Sequence, residues 1–170
     1  MRALTVDFML IAQCMRDLPR DHNEYFLERN TGKVITLSRD LIGALAGDGF
    51  ENREKLPQWD AQMIPVARKI VLDGSKDYVR IPEAYGRPAH TWQLAFTDTI
   101  RSIELKKKLN LALKGRGSCK RFKTLLDEQI EERSRWKTFH ENCWKERITR
   151  WLENQGILAF DQKPCKVPVS

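Results

Sequence analysis

From Pro88 almost to Gly156 the apolar residues return every three or four positions, a spacing that gathers them on one side of a helix and scatters them over both faces of a strand. Trp92, Phe96, Ile100 and Ile103 form one stripe, and Leu105, Leu109, Ala112 and Leu113 form the next. Gly115-Arg-Gly117 interrupts the pattern; Cys119, Phe122, Leu125 and Leu126 resume it, with Ser118 expected as the N-cap. Trp136, Phe139 and Cys143 then hand over to Trp144, Ile148, Trp151 and Leu152, and Gly156 supplies a helix stop. A chain with this second half must build its core from packed helices.

The first half is mixed. Phe8, Ile11, Ala12 and Met15 predict a helix over 6–16, closed by Pro19 with Asp21 and Asn23. Residues 24–29 and 33–37 flank Asn30-Thr-Gly32 with aromatic and β-branched side chains, the ingredients of a β-hairpin. A short helix is expected over 38–46, capped by Ser38 or Asp40. Gly47-Asp-Gly49 lacks the surroundings of a phosphate or calcium loop and reads as a solvated turn. Met63, Ala67, Ile70 and Val71 predict another helix ending at Gly74, with Pro65 expected near its first turn. Residues 78–81 read as an extended segment before Pro82. The predicted fold is α+β and predominantly α-helical, an N-terminal helix and β-hairpin packed on a bundle of four or five helices. We expect a single domain over 1–160, divisible into an N-terminal lobe (1–55) and a helical part (60–157), and a flexible tail from 158 to 170.

A chain of 170 residues with 41% hydrophobic content can bury one substantial core. The early apolar run from Phe8 to Cys14 follows Asp7, contains Gln13 and precedes no small-residue cleavage pattern, which argues against a secretory signal. No segment has the ~20 apolar residues of a bilayer crossing, so a cytoplasmic protein with no membrane partner is expected. Cys14, Cys119, Cys143 and Cys165 form no metal-ligand spacing with His22, His90 and His140, so we expect reduced thiols, no metal and no cofactor.

The charge is unevenly placed. Residues 101–123 carry nine Lys or Arg and one acid, whereas 1–100 hold 13 basic and 14 acidic side chains and 124–170 hold eight of each. The formal net charge of +7 therefore resides in one short stretch, a candidate docking surface for an anion. Its centre is the turn at Gly115–Ser118: glycines let an anion approach the backbone, and the helix that follows presents unpaired N–H groups. No Walker pattern is present, which argues against nucleotide hydrolysis. The two helices and their turn, about 101–123, read as a helix-turn-helix-like hairpin that engages nucleic acid or a nucleoprotein complex. Lys107, Lys114, Arg116, Ser118, Lys120, Arg121 and Lys123 are the candidate anion-binding residues. Two other readings stay open. The same face suits an acidic protein surface, as in a regulatory inhibitor factor, and Cys119, in a first helical turn beside Lys120 and Arg121, suits a reactive thiol in an unrecognised enzyme. Lys and Arg also coat exposed helices simply for solvation. The acids Asp127, Glu128, Glu131 and Glu132 read as ion-pair partners of Arg133, Arg135 and Lys137 rather than as catalytic or metal-binding groups. Trp92, Trp136 and Trp151 lie in periodic series and are expected in the core; exposed tryptophans would instead offer stacking platforms for bases.

Four segments carry a family likeness: Asp77-Tyr-Val-Arg-Ile-Pro82, Leu113-Lys-Gly-Arg-Gly117 with Arg121-Phe-Lys123, Trp136-Lys-Thr-Phe139, and Trp151-Leu-Glu-Asn-Gln-Gly-Ile157. In order and spacing they resemble the uncharacterised bacterial protein family 0158 over about residues 75–157. Members usually have Ala-Phe after the second glycine, where this chain has Ser118-Cys119, and an acid after Phe-Lys, where it has Thr124. The resemblance implies a domain and no assigned activity.

Overall fold

The computed structural model describes residues 1–47, 58–84 and 88–162. Seven helices and five strands lie among them, an α+β fold in which helix predominates. The chain divides into two compact units, Met1–Glu83 with residues from Ile148 onward, and Ala84–Arg147. The division falls near residues 83 and 147.

The first unit opens with strand β1, Arg2–Val6, which the helical reading of 6–16 did not foresee. Helix α1 begins only at Phe8 and runs to Arg16, because Asp7 stays extended and its carboxylate accepts the N–H of Leu10 at 2.9 Å. The hairpin follows as β2, Asn23–Glu28, and β3, Val34–Ser38, paired antiparallel with Asn23 opposite Ser38 and Leu27 opposite Val34. Gly32 in its turn has φ +76° and is buried so closely on Thr5 that a Cβ would lie 2.1 Å from that residue's carbonyl oxygen. Only glycine fits there.

Ser38 extends the chain and caps α2, Arg39–Ala46, through the N–H of Leu41. Helix α3, Gln58–Val71, holds Pro65 in its interior and not in its first turn. Both Pro65 and Ala61, whose carbonyl the missing N–H leaves without an intrahelical donor, are exposed, so water can take up that acceptor. Strand β4, Tyr78–Arg80, pairs antiparallel with β2, giving the order β3-β2-β4. Leu37, Leu41, Leu45 and Ala67 pack beneath this sheet with Phe26, Met63 and Ile70. Strand β5, Ile157–Asp161, pairs parallel with β1 from Arg2 opposite Ile157 to Val6 opposite Asp161. The segment expected as a loose tail from 158 is thus a strand through 161. Most of the Gly-Asp-Gly turn (48–49), the Trp59 side chain and residues 163–170 lie outside the description.

One ionic cluster ties this unit together. Arg20, 3% exposed, donates to the carbonyls of Cys14, Ile81 and Pro82, and its charge meets Glu24 at 3.5 Å. Arg39 and Arg80 reach the same carboxylate at 2.8 and 2.9 Å. Burial alone would raise the carboxyl pKa of Glu24, but the hydrogen bonds and charges of these arginines outweigh it and hold the group below the usual carboxylate range.

The second unit is helical: α4, Pro88–Asp98; α5, Ile103–Ala112; α6, Ser118–Asp127; and the greater part of α7, Ile130–Asn154, which continues into the first unit. Phe96, Ile100, Leu109, Leu113, Phe122 and Leu126 form its core, flanked by Leu105, Leu125, Trp136 and Phe139. The aromatic rings meet edge to face, with Phe96 to Trp136 at 5.3 Å and Phe122 to Trp136 at 5.1 Å between centroids. Trp144 is buried; Trp92, Trp136 and Trp151 are half-buried. The stripe read through Ile103 ends earlier. Helix α4 stops at Asp98, Ser102 caps α5 through the N–H of Leu105, and Ile103 is left 72% exposed.

Candidate nucleic-acid interface

The basic stretch folds as an αα-hairpin. Leu109, Ala112 and Leu113 turn inward from α5, and Phe122 and Leu126 turn inward from α6. Lys107 and Lys114 stand seven residues apart, two helical turns, on the exposed side of α5 and its end; Lys120 and Lys123 stand on the exposed side of α6. Gly115 and Gly117 bracket the turn with φ +75° and +73°, left-handed values that carry the backbone from one helix into the other within a few residues.

Two candidates have another place. Ser118 is not the N-cap: Gly117 occupies that position with no side-chain hydrogen bond, and Ser118 is the first helical residue, 7% exposed. The start of α6 is left without a side-chain acceptor for its N–H groups. Arg121 turns back over the hairpin. Its Nε donates to the carbonyl of Ala112 at 3.1 Å, Nη2 to that of Lys114 and Nη1 to that of Arg116. These are carbonyls at the C-terminus of α5 and in the turn, where a helix has spare acceptors and partial negative charge. A planar five-donor guanidinium can serve three of them at once, an arrangement unavailable to lysine. Arg121 therefore holds the turn in shape.

The remaining cations divide by partner. Lys108 pairs with Glu104 at 3.2 Å, and Lys106 donates to the Asp98 carbonyl at 3.2 Å. Lys107, Lys114, Arg116, Lys120 and Lys123 are exposed, and their side chains form no hydrogen bond or ion pair among the described residues. Five unpartnered positive charges thus lie on and around a turn fixed by glycines and one arginine.

Cys119 is exposed, and its thiol donates to Oε1 of buried Gln93 at 3.5 Å. An amide oxygen accepts from the protonated thiol and is not itself a base that could remove its proton. Of the ion pairs expected along the acidic run, Arg135 with Glu132 forms. Glu128 and Glu131 instead line a groove of about 470 Å³ with Glu104, Glu132, Leu105, Leu125 and Ile130, a feature that periodicity did not reveal because it draws on the ends of three helices. No helix among the described residues is long and apolar enough to cross a membrane.

No curated protein and no solved structure matches the chain. Residues 69–168, more than half of the chain and including the whole basic hairpin, match the model of an uncharacterised protein family, UPF0158, and the chain belongs to that family.

Proposed function

We propose that the α5–α6 hairpin docks the phosphate backbone of a nucleic acid, alone or within a nucleoprotein complex, without catalysing a reaction on it. The observation that carries this reading is the set of five exposed, unpartnered cations, Lys107, Lys114, Arg116, Lys120 and Lys123, around a turn whose shape does not depend on them. Cations already paired with carboxylates gain little from a phosphate, because one ion pair is only exchanged for another. Free ones release the counterions of the polyanion. The start of α6, with no side-chain cap, adds N–H groups and a positive dipole end beside Arg116 and Lys120. Contacts of this kind position a protein on the backbone and carry no base sequence.

Binding to labelled duplex and single-stranded DNA and RNA over a salt series tests the reading. With about four to five phosphates neutralised, log K falls against log salt with a slope of about −4, a loss of roughly 10²–10³-fold between about 50 and 200 mM salt. Lys120→Glu with Lys123→Glu weakens binding to every base sequence alike. A slope near zero, or binding indifferent to this double reversal, excludes the proposal.

A further inference from the structure

Leu111 is 68% exposed near the end of α5, with exposed Lys107 four residues before it on the same helix and exposed Lys114 three residues after it, in the turn beyond the helix end. Lys107 and Leu111 are neighbours on one helix surface, and the turn begins with the N–H of Lys114 donating to the Leu111 carbonyl at 3.2 Å, so an apolar knob is flanked along the chain by two free ammonium groups. The groove at the other end of the hairpin is its complement. It is lined by apolar Leu105, Leu125 and Ile130, the last 71% exposed, by Glu104, Glu128, Glu131 and Glu132, and by one cation, Lys108. Placing Glu131 and Glu132 in the first turn of α7 and Glu104 in that of α5 suits the helix dipoles, and Arg135 and Lys108 occupy Glu132 and Glu104. Glu128 and Glu131 are exposed and have no ion-pair partner among the described residues.

We infer that the groove of one copy receives the Lys107–Leu111–Lys114 segment of a second copy. Leu111 covers the exposed Ile130 and the leucines of the groove, and the two lysines reach its carboxylates. Both members of this pair expose a large aliphatic side chain to water and carry unpartnered charge of opposite sign. A polyanion would satisfy the lysines but leave Leu111 and the groove uncovered. Knob and groove are different surfaces of the same chain, so the contact is heterologous, and each added copy presents a fresh groove or a fresh knob. The patch is small, so the association is weak and grows with concentration. It shares Lys107 and Lys114 with the nucleic-acid reading but does not rest on it.

The test is sedimentation of nuclease-treated full-length protein from micromolar to millimolar concentration, with two variants. In one, Lys107→Glu and Lys114→Glu spoil the knob; in the other, Glu128→Lys and Glu131→Lys spoil the groove. All four positions are exposed, so circular dichroism remains that of the parent, and melting falls only slightly in the groove variant, where Glu131→Lys puts a cation in the first turn of α7. The parent associates beyond a dimer, each variant alone associates more than about tenfold more weakly, and an equimolar mixture regains association beyond a dimer. Mixing restores growth because the parent knob meets the parent groove and the reversed knob meets the reversed groove. Leu111→Asp weakens association as the knob variant does, whereas Arg116→Glu with Lys120→Glu leaves it intact while weakening nucleic-acid binding. A parent that stays monomeric throughout, a mixture that stays as weakly associated as either variant alone, or variants that associate like the parent overturns the inference.

Discussion

Lys120 and Arg121 are adjacent cations with different employment. Lys120 is exposed and unpartnered; Arg121 spends its fork on the carbonyls of Ala112, Lys114 and Arg116. Arg121→Ala should therefore lower stability by ~1–2 kcal/mol in thermal or denaturant unfolding, with little recovery in Arg121→Lys, since an ammonium has no planar fork. Lys120→Ala should stay within about 0.5 kcal/mol of the parent, because nothing in the fold leans on it. Gly32 makes the same point for the backbone. Its left-handed φ and its closeness to the Thr5 carbonyl leave no room for a methyl group, so Gly32→Ala should cost at least ~1–2 kcal/mol in unfolding measurements.

Among the elements, the core face of the hairpin governs how the cations are held. Phe122 is completely buried and meets Phe96 and Trp136 edge to face, so Phe122→Ala should destabilise the helical unit by ~3–5 kcal/mol, read as a lowered denaturation midpoint. This part of the fold was legible in the sequence because helices bury stripes: Leu109, Leu113, Phe122 and Leu126 lie where the 3.6-residue period puts them. The hairpin of β2 and β3 was legible for a similar local reason, an Asn-Thr-Gly turn between an aromatic run and a β-branched one. Strands β1 and β5 were not, since each is five residues long and finds its partner at the far end of the chain, a pairing that no local pattern encodes. At the site, five of the seven candidates are exposed and unpartnered as composition suggested. The inward turn of Ser118 and the capping by Arg121 escaped, because both depend on where Gly117 starts the helix.

On the scale of the whole molecule, strands far apart in sequence meet in one unit, where β5 is the strand beside β1 and buried Ile157 lies in register with Arg2. Truncation after Gly156 should leave β1 without its partner and make residues 1–83 markedly more susceptible to proteolysis, with Ala84–Arg147 less affected. The same unit should respond to acid through Glu24. A carboxyl held below its ordinary value of 4.5 contributes stability that is fully present above that pH and lost as pH falls through the lower folded-state value. Glu24→Gln should flatten this acid limb and, by leaving buried Arg20 without its counter-charge, lower stability at neutral pH by about 3 kcal/mol, measured by urea unfolding at a series of pH values.

The most direct measurement is the salt dependence of nucleic-acid binding by the full-length chain, parent beside Lys120→Glu with Lys123→Glu. A slope of about −4 for the parent, reduced by about 2 in the variant at unchanged melting temperature, is the predicted result. A parent slope near zero, or one that the double reversal leaves untouched, contradicts the account.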